Sequence, residues 1–187
     1  MPAFEKQARL LLLASLLITG CAQRADEQLF ELEQAETSWK NGQLNVTVHQ
    51  KLKLSSEAKE ALVHGVPLTL QLDLVITNIG GRTVVRKHTS SYEIRYLPLI
   101  NDYQLSRQGA MEIRTFPRLR HLLAELSTIK LSFSGSDLPE GSYRLMARMH
   151  LDQKKMPPPM RLPILFSAQW RHDSNWKEWQ VGSANGS

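Results

Sequence analysis

The sequence predicts a mainly β chain: an antiparallel, Ig-like β-sandwich of about nine strands with two short helices. Three observations carry that expectation. Apolar residues recur mostly with period two from residue 29 onward. The alternating runs are short and are broken by Gly, Pro and Asn clusters of the kind that turn a chain. No longer period repeats, which excludes a solenoid or a propeller.

Residues 29–39 make the first predicted strand, and Asn41-Gly42 behind it is the strongest short hairpin signal. Residues 43–54 put Leu44, Val46, Val48, Leu52 and Leu54 on one face. Asn45, Thr47, His49, Lys51 and Lys53 fall on the other, the pattern of a half-buried antiparallel strand. Ser55 or Ser56 then caps a short helix through His64, with Glu57 in the favourable first turn and Gly65 as its stop. Pro67 opens a second alternating strand, with Leu68, Leu70, Leu72, Leu74 and Ile76 inward and Thr69, Gln71, Asp73 and Thr77 outward. Asn78-Ile79-Gly80-Gly81-Arg82 reverses the chain, since glycine accepts the positive φ of a tight turn. The strand after it sets Tyr92, Ile94 and Tyr96 against Glu93 and Arg95 and stops at Pro98. Asn101-Asp102 turns again, and residues 103–107 and 111–115 form a hairpin around Gln108-Gly109.

A second helix is predicted to start at Phe116-Pro117, because proline suits the first helical turn. Phe116, Leu119, Leu122, Leu123 and Leu126 give it one apolar stripe. Residues 128–134 make a strand and Leu138-Pro139-Glu140-Gly141 a turn. Residues 142–152 are the cleanest strand, with Tyr143, Leu145, Ala147, Met149 and Leu151 inward. Pro157-Pro158-Pro159 reads as an extended connection to a last strand over 160–170, placed at an edge by Pro163. Residues 182–187 read as a disordered tail, so that 29–181 forms one domain.

The first residues carry an address rather than a fold. Lys6 and Arg9 precede an apolar run over 10–18, which is too short to span a bilayer and has the build of a signal-peptide core. Ile18-Thr19-Gly20-Cys21 closes it and resembles the lipobox of bacterial lipoproteins, in which the leader (here 1–20) is removed and the cysteine sulfur is lipidated. Cys21 is the only cysteine, so no disulfide can form within the chain and stability must come from packing. Residues 21–28 then serve as lipidated cysteine and short tether. Ala22 stands where an aspartate would, by resemblance to enteric sorting, hold a lipoprotein in the inner membrane, so the periplasmic face of the outer membrane is the expected destination. The formal charge of +5 is mild and unclustered, a poor match to nucleic-acid binding.

Two groups of motifs resemble a family in order and spacing. Ala61-Leu62, Gly65-Val66-Pro67-Leu68, Ile94-Arg95-Tyr96 and Tyr103 form the first. Leu151-Asp152, Met156-Pro157-Pro158-Pro159-Met160, Trp170, Ser174-Asn175-Trp176 and Trp179 form the second. Together they resemble the proteobacterial domain of unknown function 4390 over roughly residues 29–180. The chain departs from that pattern at Leu97, Met156 and Met160. The resemblance assigns no active residue. Gene neighbourhoods in the family imply one further reading, a periplasmic partner of a membrane sensor histidine kinase.

Chemistry-bearing residues are few. His150 and Asp152 share a strand face but have no third ligand nearby, so no metal is expected. His172-Asp173-Ser174 has the letters of a hydrolase triad, yet adjacent residues cannot take its geometry. No nucleophile elbow, zinc-protease helix or phosphate loop is present, so no catalytic residue and no cofactor are assigned. Arg114, Arg118 and Arg120 gather at the start of the second helix, where cations oppose the dipole unless an anion or acidic partner is near. They are candidates for lipid headgroups or an acidic protein patch. Trp170, Trp176 and Trp179 either close the end of the sandwich or form a sugar-stacking shelf. The expectation is a non-enzymatic, lipid-anchored envelope module with a protein partner. The alternative is a small envelope enzyme or peptidoglycan binder using the Trp-rich end.

Overall fold

The computed structural model describes residues 28–79, 83–135, 138 and 142–181. The leader, Cys21, the tether up to residue 27, the reversal at 80–82, the turn at 139–141 and the tail 182–187 lie outside them.

Nine strands build two antiparallel sheets. They are β1 (Phe30–Lys40), β2 (Gln43–Leu52), β3 (Leu68–Asn78), β4 (Val84–Leu97), β5 (Asp102–Arg107), β6 (Ile113–Phe116), β7 (Thr128–Ser134), β8 (Tyr143–Leu151) and β9 (Lys177–Val181). One sheet has the order β1-β2-β7, the other β6-β5-β4-β3-β8-β9. Their facing sides pack as a sandwich, which is the predicted class.

The alternation in the sequence becomes the register. Asn41 (φ 52°) and Gly42 (φ 70°) occupy the left-handed turn that joins β1 to β2. Leu44, Val46 and Val48 of β2, Leu68 to Ile76 in steps of two on β3, and Leu145, Ala147 and Met149 of β8 are buried together. Gln50 takes the next inward position on β2, and its Nε2 donates to the Leu126 carbonyl at 2.7 Å, satisfying an acceptor at a helix end. Thr69 was expected outside but is buried: the Asp152 N–H donates to its carbonyl at 2.8 Å, and a 3-10 turn (Gln153–Lys155) packs over β3 there.

Among the described residues, three α-helices stand where two were expected. Helix α1 (Ser56–Val63) is capped by Ser55, whose side chain accepts from the Ala58 N–H, and Gly65 follows it at φ 88°. It carries the chain from one sheet to the other, and α2 (Leu119–Glu125) carries it back. Helix α2 begins later than predicted. Phe116 is still in β6, paired with Tyr103, and Arg118 is the N-cap in extended conformation. Pro117 therefore precedes the helix instead of opening it.

The larger correction is at 157–170. No extended connection and no edge strand form there. Helix α3 (Pro158–Phe166) begins at Pro158 and Pro159, whose fixed φ suits the first turn and whose missing N–H groups would have had no helical partner. A 3-10 turn (Ala168–Trp170) follows, and the last strand is β9, antiparallel to β8 with Leu145 opposite Trp179. No helix among the described residues is long and apolar enough to cross a membrane.

Candidate functional site

Strands β3 and β8 pair with Asp73 opposite Arg148 and Gln71 opposite His150. Side chains with period two thus bring Asp73, Arg148 and His150 onto the outer face of the larger sheet. His150 Nε2 lies 3.0 Å from Asp73 Oδ2, and the Thr89 hydroxyl of β4 donates to Asp73 Oδ1 at 2.6 Å. Arg148 Nε reaches both oxygens of Asp173, at 2.9 and 3.1 Å, and its terminal nitrogen adds an ion pair. This fork-on-carboxylate contact fixes the C-terminal segment against β8. Burial opposes the charge on Asp173, but the Arg148 guanidinium and the Asn175 N–H more than offset it and hold the carboxyl below its usual range.

The His172-Asp173-Ser174 letters are structural. The Leu151 N–H donates to the His172 carbonyl at 2.9 Å, and the Ser174 N–H donates to the Met149 carbonyl at 2.9 Å. Ser174 Oγ accepts from the Met149 N–H at 2.9 Å. His172 is buried, stacks edge-on against Phe30 at 5.2 Å, and its Nε2 accepts the Ser55 N–H at 3.1 Å. Burial pushes its pKa down to about 4; the Trp170 carbonyl opposes this without hydrogen-bonding Nδ1. A neutral imidazole that already accepts a backbone proton at Nε2 is a poor base for Ser174, whose hydroxyl donates to the Asn175 carbonyl.

Around these residues opens a cleft of about 800 Å³, within the size range of ligand pockets. Arg148, His150 and Asp173 line it, together with Gln153, Lys154, Arg161 and Arg171. Its two carboxylates are engaged: Asp173 by Arg148, and Asp152 by the Lys154 N–H at 3.0 Å. Lys154 and Arg171 make no ion pair with a described residue, and Arg161 spends only its Nε, on the Met156 carbonyl. The cleft lining therefore carries an excess of positive charge, with His150 held by Asp73. Among the described residues no group of three or more His, Cys, Asp or Glu is placed to hold a metal.

The other candidates disperse. Arg114 pairs with Glu125 and lies over Phe116, Arg118 is the α2 N-cap, and Arg120 Nε approaches His121 Nε2 at 3.3 Å. The three arginines form no joint anion site. Trp170 is buried, Trp179 is half-buried against the core, and Trp176 is 42% exposed. They share no common shelf, and none lines the cleft, although Trp176 follows directly on Asn175, which does. Cys21 lies outside the described residues.

Sequence reading missed Asp73, Arg148, Arg161 and Arg171 as site residues. The outward polar positions on β3 and β8 were legible, but the partner strand was not.

No curated protein and no solved structure matches the chain. The family model described as "Domain of unknown function (DUF4390)" matches residues 27–180. That span covers most of the chain, and the protein belongs to the DUF4390 family.

Proposed function

We propose that this protein is a lipid-anchored, non-enzymatic binding module of the bacterial envelope, tethered through Cys21 on the periplasmic side, at the outer membrane in preference to the inner. Its cleft takes a ligand or partner segment that carries carboxylate or phosphate. The observation that supports the binding reading is the charge balance of the cleft: its carboxylates are internally satisfied, while Lys154, Arg161 and Arg171 face it with donors to spare. The fate of the triad-like letters supports a non-catalytic role, since His172 and Ser174 hold the backbone together.

Two measurements test the two halves. Cys21→Ser should abolish palmitate labelling and mature-size, membrane-bound protein; labelled protein of mature size from that variant ends the anchor reading. A photo-crosslinking residue at position 154 should capture an envelope component in intact cells. That capture should be lost in Arg161→Glu/Arg171→Glu. Equal capture by parent and variant ends the cleft reading.

A second reading, an envelope glycan binder, is favoured by Trp176, exposed beside the cleft residue Asn175. Trp176→Ala would then lose retention on isolated peptidoglycan sacculi while keeping its fold.

A further inference from the structure

On another part of the surface lies a groove of about 910 Å³ with a different character from the cleft. Its floor is apolar: Leu29, Leu52, Leu119, Leu123 and Tyr103. Its rim carries Lys51, Lys53, Lys59 and Arg120, and among the described residues no Asp or Glu lines it. Local structure explains the split. Leu122 of α2 is buried in the core, whereas Leu119 and Leu123, four apart on the same helical stripe, are half-buried and look into the groove. Outward-facing Lys51 and Lys53 come from the end of β2 and just beyond it, Lys59 from the exposed side of α1, and Arg120 from the exposed side of α2. Lys51 also pairs with Glu33, just outside the groove.

We infer that this groove holds one anionic phospholipid, drawn from the bilayer, with an acyl chain along the leucine floor and the phosphate at the lysine–arginine rim. Charge complementarity carries the inference: an apolar trough with a cationic border and, among the described residues, no lining carboxylate matches an amphiphile with a negative head. A zwitterionic or neutral amphiphile would bring no net negative charge to Lys59 and Arg120. Placement adds to it, because Leu29 lines the groove at the point where the described chain begins. In the anchored protein proposed above, Cys21 lies seven residues before Gln28, a reach of at most about 25 Å, so the groove stays close to a lipid source. Only this access rests on the anchor; the chemistry of the groove does not. Arg120 is thus the one member of the predicted arginine cluster that meets a headgroup.

The test uses the full chain in dodecyl maltoside micelles, titrated with phosphatidylglycerol and with phosphatidylcholine carrying the same fluorescent tail. Saturable binding of one phosphatidylglycerol per chain is expected, with phosphatidylcholine weaker by on the order of tenfold. Lys59→Glu/Arg120→Glu should erase that preference without shifting the melting temperature, since both side chains are exposed. Ala124→Trp, at an exposed position lining the groove, should fill it and weaken both lipids alike. Equal affinity for the two lipids overturns the inference, as does binding that either variant leaves unchanged. A dimer that Ala124→Trp dissociates, with lipid binding intact, assigns the groove to a second copy and also overturns it. Micelle binding needs no lipidated cysteine, so a chain that fails palmitate labelling can still pass this test, and the reverse.

Discussion

Replacing His172 with glutamine should flatten the pH dependence of stability between pH 7.5 and 5.0. The imidazole is 2% exposed, and burial lowers its pKa from 6.5 to about 4. As pH falls, the unfolded chain takes up a proton near 6.5 that the native state refuses until about 4. The native advantage is therefore complete above pH 6.5 and shrinks by about 1.4 kcal/mol for each unit below it. In full it is on the order of 3 kcal/mol, of which about 2 kcal/mol is gone at pH 5.0. That is a large part of the roughly 5–15 kcal/mol a domain usually has. His88, whose pKa burial also lowers, acts in the same direction, so the comparison must be made against the variant and not against a flat line. Asp173, held below the usual carboxylate range, titrates beneath this window. Glutamine retains an oxygen that can accept the Ser55 N–H, which limits the structural damage. The assay is urea unfolding followed by tryptophan fluorescence at both pH values. Wild type should lose about 2 kcal/mol more than His172→Gln; equal losses would refute the account of a buried neutral imidazole.

Leu145→Asp should unfold the protein, because it sets a charge at a fully buried position on β8 at a cost of several kcal/mol. Arg144→Asp, on the opposite face and only loosely paired with Glu178 at 3.5 Å, should cost under about 1 kcal/mol; similar thermal midpoints for the two would contradict the register. Trp170→Ala should cost about 3–5 kcal/mol, read as a melting temperature lower by roughly 10 °C, whereas Trp176→Ala should stay within about 1 kcal/mol of wild type.

Strand β8 was legible to within one residue at each end because five consecutive inward positions are apolar, and a slip by one would bury Arg144 and Arg148. Residues 157–170 were not, because proline stops a strand and starts a helix with equal force. Local sequence does not say which side of the proline holds regular structure: after Phe116 the proline ends a strand, and at Pro158 it begins a helix. The missing fact in each case is tertiary, such as the pairing of Phe116 with Tyr103. The candidate site suffers from the same limit. His150 and Asp73 stand 77 positions apart and meet only because β3 pairs with β8 in one register. Gln50 stood in the apolar phase of β2, a polar residue at a core position, and that inconsistency was the signal that a buried group needed its donor.

The two concavities differ in how firmly their charges are held. Asp73 lies on β3, hydrogen-bonded on both sides by β4 and β8, so the Thr89–Asp73–His150 array spans three paired strands. Of that array His150 lines the cleft, so a ligand in the proposed site would meet an imidazole already ordered. Lys154, Arg161 and Arg171 stand exposed on short helical turns, and fixing each long side chain costs about 0.5–1.5 kcal/mol on binding. In the binding role proposed above, the strands would supply orientation and the outer cations attraction at some entropic cost, a division that suits reversible holding. One hydrogen bond links the lining of the groove to that of the cleft. Ser55 lines the groove, His172 lines the cleft, and the Ser55 N–H donates to His172 Nε2 between them. That bond also satisfies an otherwise orphaned donor at the head of α1. Protonating the imidazole at Nε2, or cutting the side chain back to alanine, takes away the acceptor and leaves a buried N–H unpaired, beside Lys59 on one side and the Leu151–His172 backbone contact on the other. One buried, neutral histidine therefore underlies both surfaces, and its cost in acid falls on both.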